Sequence, residues 1–140
     1  MTDTHTFRLS NDLSEVPSLR DLFVQSCVSA GVDQDEMQGQ MLVFTELINN
    51  AIEHGCKRPS DCVEGWYRIT KDEIVVEVTD PSEVLTNADF ENSDASNFAE
   101  NGRGAGLFLV RALTDEINVR PGPNGGTTVR VTKLRGRGAA

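Results

Sequence analysis

From Val16 onward the apolar residues Leu19, Leu22, Phe23, Cys27 and Ala30 recur at spacings of three and four, the period of one helical face. Ser14 is placed to cap this helix, Pro17 fits its first turn and Gly31 stops it. A second helix is predicted from Asp33 to about His54, ended by Gly55. Asp33 is its candidate N-cap, Glu36 stands at the capping-box position and Met37 is placed to staple against Val32. At about 100° per residue, Met37, Met41, Phe44, Ile48 and Ile52 gather on one side of this helix, while Glu46, Asn50 and His54 follow one another on the opposite side. Leu42, Val43 and Leu47 flank the polar stripe, so the helix is apolar around much of its circumference and is expected to lie under other structure. Solvation alone does not account for Glu46 and Asn50.

Past a polar loop the period changes to two. Cys62 to Thr70 and Glu73 to Asp80 read as strands joined at Lys71-Asp72, with Ile74, Val76 and Val78 alternating against Glu73, Val75 and Glu77. Asp80 falls on the face of Ile74, Val76 and Val78, the face expected to pack on the helices, so its carboxylate points toward the layer that carries the polar stripe. Trp66 and Tyr67 occupy opposite faces and read as packing residues. Residues 81 to 101 form a long polar stretch that reads as a lid, a binding loop or disorder. It ends at Gly102-Arg-Gly-Ala-Gly106, a glycine-rich turn opening a short helix over Leu107 to Leu113. Glu116 to Arg120 and Thr127 to Leu134 read as strands around the turn 121–126, and residues 135–140 as a frayed tail.

Composition narrows the class. The chain has 140 residues, 38% apolar and 25% charged, which suits one domain able to bury its own core without disulfides or a structural metal. A formal net charge of −9 argues against direct contact with nucleic acid or an anionic membrane, both of which need a basic footprint. The charge is uneven: residues 81 to 101 hold five acids and no base, whereas residues 102 to 140 hold seven bases and two acids. The three cysteines, Cys27, Cys56 and Cys62, have no histidine at metal-ligand spacing and read as reduced thiols. No apolar leader or membrane-length run is visible, and the expected location is the cytoplasm.

Three elements carry candidate chemistry. A glycine-rich helix entry offers backbone N–H groups and the positive end of a dipole to phosphate oxygens. An Asn amide oxygen, as on Asn50, is a hard neutral ligand suited to Mg²⁺, which takes the rest of its shell from water and phosphates. A carboxylate one turn earlier, Glu46, can accept a proton from an incoming hydroxyl or orient a water. These are the parts of an ATP-Mg²⁺ pocket, although the chain has no G-x-x-x-x-G-K-[ST] loop.

The run Phe44-Thr-Glu-Leu-Ile-Asn-Asn-Ala-Ile-Glu-His-Gly55 resembles the N-box of the GHKL ATPase superfamily in the form found in bacterial anti-sigma-factor serine-protein kinases. Gly104-Ala-Gly-Leu-Phe-Leu-Val110, followed by Thr114-Asp-Glu-Ile117, resembles that family's second glycine box and the helix after it. The resemblance implies a two-layer α/β sandwich of Bergerat type, with helices on one face of a mixed, mostly antiparallel sheet and the segment 81–101 as an ATP lid. It implies Glu46 as general base, Asn50 as the Mg²⁺ ligand, Asp80 as acceptor for the adenine amino group, and Gly104, Gly106 and Leu107 as the phosphate cradle. Arg103, Ala105 and Thr128 join them as nucleotide-contacting candidates. The implied activity is phosphorylation of a serine on a small anti-anti-sigma-type partner, alternating with sequestration of a sigma factor or equivalent regulator, in a protein expected to form a homodimer.

One departure stands at the adenine end. The family continues its Asp with glycine, often as D-x-G, whereas this chain reads Asp80-Pro81-Ser82-Glu83, which removes an N–H donor and restricts Asp80 to extended geometry. The alternative is therefore a non-catalytic binding module with a degenerate nucleotide site. The ATP-binding half of a two-component histidine kinase fits less well, because His5 and His54 do not lie on a dimerisation helix. The acids Glu83, Asp89, Glu91, Asp94 and Glu100 are expected to face solvent or a partner, since they would oppose a triphosphate.

Overall fold

The computed structural model describes residues 4–82 and 103–136, with the side chains of residues 103–105 left out of the description. The chain runs β1 (Thr4–Ser10), a single 3₁₀ turn (Leu13–Glu15), α1 (Val16–Ser29), α2 (Gln34–Gly55), β2 (Cys62–Ile69), β3 (Glu73–Asp80), α3 (Arg103–Leu113), β4 (Glu116–Pro121) and β5 (Thr127–Leu134). The five strands form one sheet in the order β1-β2-β3-β5-β4, and every described pairing is antiparallel, so no parallel pair of a mixed sheet occurs among the described strands.

Local chemistry explains most boundaries. Asp12, rather than Ser14, caps the first helical turn: its Oδ1 accepts from the Ser14 amide at 2.9 Å, and the chain passes through the 3₁₀ turn into α1 with Pro17 in the opening turn. Asp33 caps α2 as expected, accepting from the Asp35 amide at 3.2 Å. Glu36 does not complete a capping box; its Oε1 is buried with no hydrogen-bond partner among the described residues. The β2–β3 hairpin closes on Thr70, whose hydroxyl oxygen accepts from the amides of Asp72 and Glu73 at 3.2 and 3.0 Å.

The helices cover one face of the sheet. Period-two alternation sends Val63 and Tyr67 of β2, Ile74, Val76 and Val78 of β3, and Val129 and Val131 of β5 into the core beneath α1 and α2. Aromatic rings lock the layers together: Phe23 of α1 stacks on Phe44 of α2 at 4.4 Å, and both meet Tyr67 edge-on at 5.1 and 5.8 Å. The other face is polar. There Glu77 takes hydrogen bonds from Trp66, Arg120 and Arg130, and the guanidiniums of Arg68 and Arg130 lie 5.3 and 5.2 Å from the Trp66 ring.

The buried arc of α2 differs from the expected one. Gln40, Val43, Phe44, Leu47, Ile48, Asn50, Ala51 and Ile52 are buried, whereas Leu42 is 46% exposed and Met37 and Met41 are half-buried. The arc is rotated by about 60° toward Asn50 relative to the Met37/Met41/Phe44 stripe. The reason is that α2 packs against the sheet, α1 and α3 together, so one apolar stripe does not define its core face.

Two expectations meet the limits of the description. Apart from Pro81 and Ser82, the segment expected as a lid lies outside the described residues, as do the five acids placed on it. The expected frayed tail starts with a residue that is tied down: Arg135 donates from its amide to Asp72 O at 2.8 Å and from its guanidinium to Thr70 O and Ala30 O at 2.6 and 3.1 Å. The three cysteines are free, and burial pushes the Cys27 thiol up to about 12.

Candidate functional site

The polar stripe of α2, the C-terminal end of β3 and the N-terminal turns of α3 come together at one end of the sandwich. α2 supplies Glu46 and Asn50, one turn apart on the side facing α3. The glycine box is not a turn before the helix. Arg103, Gly104, Ala105 and Gly106 already belong to α3, so the N–H groups available to an anion are those of its opening turn. Leu107 is 4% exposed and packs in the core, which leaves only its backbone to a ligand.

Gly106 explains why glycine is needed there. A Cβ at this position would overlap Glu46 Oε2, lie 3.2 Å from Glu46 Cδ and come within 3.5 Å of Asn50 Nδ2. The missing side chain thus leaves a cradle on α3 into which both functional groups of α2 point. Burial raises the Glu46 carboxyl above the usual range, and the nearby charge of Glu53 raises it further. Asn50 is 6% exposed, and its Nδ2 has no hydrogen-bond partner among the described residues. An unsatisfied buried amide is costly unless a ligand completes it.

The other end of the site is built around Asp80. Its side chain is buried on the helix-facing side of β3, as the alternation predicts. Gly55, the last residue of α2, makes room for it: a Cβ there would lie 2.6 Å from Asp80 Oδ1 and 2.7 Å from its Cβ. Asp80 Oδ1 accepts from the Ser82 amide at 2.8 Å, an Asx turn across Pro81. Asp80 also contributes to raising the neighbouring Cys56 thiol to about 11, after the larger effects of burial and Asp61.

Thr128 is corrected by the register. Asp80 pairs with Thr127 and Thr79 with Thr128, so Thr128 lies on the far face of the sheet, where its Oγ1 is 2.8 Å from Thr79 Oγ1. Thr127, 3% exposed, shares the face of Asp80 and donates its hydroxyl hydrogen bond to Ser82 O. Sequence reasoning missed Thr127 and Ser82, although the alternation of Val129 and Val131 carries the parity that places Thr127. The backbones of Arg103, Gly104 and Ala105 lie in α3, and their side chains are outside the description.

The residues present suit a nucleotide triphosphate with its metal. The opening turn of α3 offers backbone N–H groups, the orphaned Asn50 amide offers a donor or, rotated, an acceptor, and Asp80 presents a buried acceptor beside Gly55, the last residue of α2.

A helix-on-antiparallel-sheet sandwich with these three elements defines a class, and the sequence agrees: the family model described as the histidine kinase-like ATPase domain matches residues 9–133, and the chain belongs to that family. Its relatives narrow the comparison to one branch. The serine-protein kinase RsbW of Staphylococcus aureus is 26% identical over 113 residues, covering 74% of this chain and 69% of the relative. The protein of the same name from the bovine strain RF122 / ET3-1 is 25% identical over the same lengths. Among solved structures, the RsbU and RsbW domains of a Mycobacterium tuberculosis protein match with a TM-score of 0.64 at 18% identity, over 94% of this chain and 32% of that one. A chain of the SiaB–SiaC complex of Pseudomonas aeruginosa matches with a TM-score of 0.71 at 12% identity, over 91% of this chain and 87% of that one. The fold is the two-layer sandwich of the GHKL ATPases. Among the described residues, no helix is long and apolar enough to cross a membrane.

Proposed function

We propose that this protein is an ATP-dependent serine-protein kinase that phosphorylates a small anti-anti-sigma-type partner and alternatively holds a sigma factor or equivalent regulator. The observation that carries the proposal is the convergence of Glu46 and Asn50 on the side-chain-free position Gly106. Glu46 accepts the proton of the serine hydroxyl as its oxygen attacks the γ-phosphoryl group and ADP leaves. A carboxylate raised by burial is better matched to that task at neutral pH than an exposed one. Asn50 would hold Mg²⁺ through its amide oxygen, and the metal would supply charge neutralisation on the phosphoryl oxygens. The opening turn of α3, Arg103 to Gly106, binds the phosphates through backbone N–H groups. Asp80 accepts from the adenine amino group. Guanine presents an acceptor at that place, so ATP is preferred by about 1–3 kcal/mol or more.

The names of the Staphylococcus aureus relatives support the kinase assignment, and the likeness to the SiaB–SiaC chain supports the fold on which it rests. Calorimetry with Mg²⁺-ATP and Mg²⁺-GTP tests the site. Transfer from γ-labelled ATP to proteins captured from the native cell, with phosphosite mapping, tests the activity. The expected result is ATP preference and serine phosphorylation that Glu46→Ala abolishes. Tight ATP binding without transfer to any captured protein overturns the kinase reading.

A second reading, a binding module that sequesters its partner without phosphorylating it, is favoured by one observation: Asp80 Oδ1 is already engaged by the Ser82 amide. No heat of ATP binding at millimolar nucleotide decides for it.

A further inference from the structure

α2 meets α3 near both ends of α3. Toward the N-terminal end, the side-chain-free Gly106 lies against Glu46, where a Cβ would overlap Oε2. At the C-terminal end, the buried Gln40 donates from Nε2 to Leu113 O at 2.7 Å, and a Cβ on the neighbouring Gly39 would stand 3.7 Å from Leu113 Cδ2. The two spans match: from Gln40 to Glu46 α2 rises about 9 Å, and from Gly106 to Leu113 α3 rises about 10 Å. The helices therefore run antiparallel and side by side over that length. Leu113 is the last residue of α3, and its carbonyl is one of the four that a helix leaves without an internal partner. The Thr114 hydroxyl donates to another of them, Val110 O, at 2.6 Å, whereas Leu113 O takes its donor from α2. Gln40 stands on the buried arc of α2 with Val43, Phe44 and Leu47, where a hydrocarbon side chain would satisfy packing and an amide is costly unless its hydrogen bond is made.

We infer that Gln40 is a positioning residue: by holding the C-terminal end of α3 on α2, it fixes how far the opening turn of α3 stands from Glu46. The inference rests on the reading of Glu46 as the base and of that opening turn as the phosphate binder. Burial of Leu107 and Val110 presses α3 onto the core, but apolar attraction is non-directional and leaves the helix free to slide or tilt. A hydrogen bond to the terminal carbonyl is directional and restrains both motions. Past α3, the Asp115 amide donates to Thr132 O at 2.8 Å, which ties the chain to the sheet and not to α2. Gly106 has no side chain to interlock with α2, so the spacing at Glu46 is set from the far end of the helix. Glu46 moves with α2 and bound phosphates move with α3; a change in the placement of one helix on the other changes the distance from base to phosphoryl group.

The test compares the full wild-type chain with Gln40→Leu and Gln40→Met, which remove the donor and keep an apolar volume, and with Gln40→His, whose Nε2–H reaches the place of the amide nitrogen. Residual dipolar couplings of the backbone amides of α2 and α3 report the angle between the two helices without nucleotide, and thermal melts verify folding. Calorimetry reads Mg²⁺-ATP binding, and transfer from γ-labelled ATP to protein captured from the native cell reads the reaction. In both apolar variants the α3 couplings are expected to depart from the orientation they have relative to α2 in the wild type. Transfer at saturating ATP is expected to fall roughly tenfold, the effect of about half an ångström where 1 Å costs about 100-fold. ATP affinity is expected to stay within about threefold, because Asp80 and Asn50 also hold the nucleotide in this reading. Gln40→His is expected to restore both the couplings and the rate.

Wild-type couplings in both apolar variants overturn the inference, as does an altered helix angle with a wild-type transfer rate. Loss of the fold in both apolar variants, or a loss of rate matched by an equal loss of ATP affinity, makes Gln40 a purely structural residue and overturns it as well. Absence of transfer by the wild type overturns the kinase reading; it shows before any variant is compared, and the couplings then decide the role of Gln40 on their own.

Discussion

Replacing Gly106 by alanine separates stability from function in one substitution. Gly106 lies inside α3, where alanine is intrinsically favoured over glycine by about 1 kcal/mol. The added Cβ overlaps Glu46 Oε2 and lies 3.2 Å from Glu46 Cδ, so the carboxylate has to retreat by about 1 Å to reach ordinary van der Waals separation. Glu46 is only half-buried, and the obstructing atom is the end of a flexible side chain, so the retreat costs about 0.5–1.5 kcal/mol of rotamer energy. The two effects nearly cancel, and Gly106→Ala is expected to melt within a few degrees of the wild type. Phosphoryl transfer should respond very differently. A base displaced by about 1 Å loses on the order of 100-fold in rate. The assay pairs a thermal melt with transfer of labelled phosphate at saturating ATP. Transfer at the wild-type rate with an unchanged melt would refute both the cradle at Gly106 and the role of Glu46.

Further expectations follow from the same structure. Glu46 holds its proton more tightly when folded, so its contribution to stability is present below its unfolded pKa and is lost as pH rises through the raised folded value; Glu46→Gln should therefore stabilise the protein at neutral pH and not in acid, read from urea midpoints at several pH values. Burial raises the Glu77 carboxyl, but the hydrogen bonds from Arg120, Arg130 and Trp66 outweigh it and hold the group below 4.5, so its stabilisation is present above that value and is lost as pH falls through the folded pKa. Glu77→Gln should cost about 1–3 kcal/mol near neutral pH and little at strongly acid pH, measured by the same titrations. Gly55→Ala places a Cβ 2.6 Å from Oδ1 and 2.7 Å from Cβ of the buried Asp80 side chain, and should lose about 1–3 kcal/mol of stability together with most ATP binding, read by melts and calorimetry.

Much of this was legible in the sequence where one period and one neighbour decide the outcome. The alternation along β3 places Asp80 on the helix face, and Asp33 before a periodic run marks the start of α2. What was not legible depends on partners distant in sequence. Ser14 and Asp12 are both acceptable caps, and the inserted 3₁₀ turn, which fixes where α1 begins, selects Asp12. The core face of α2 is set by three packing neighbours at once, which no single hydrophobic stripe reports. The glycine box reads as a turn because glycine is a poor helix former, yet it is helical, and at Gly106 the absent side chain leaves room for Glu46 of α2. The choice between Thr127 and Thr128 is a parity question that the valines of β5 answer once β5 is known to pair with β3.

Gln40 gives the site a further property. It is 3% exposed, and its Nε2 donates to Leu113 O at 2.7 Å, so the same helix that presents Glu46 and Asn50 also holds the far end of the helix whose opening turn faces them. The proposed base, metal ligand and phosphate-binding helix are thus referenced to one helix, while the residue proposed for the base of the nucleotide sits on the sheet. If the proposed function holds, substitutions around residues 80–82 and 126–127 retune which nucleotide is held, and how tightly, while the distances proposed to govern phosphoryl transfer stay as α2 sets them. Ligand choice and reaction rate become two separately adjustable quantities in one small protein.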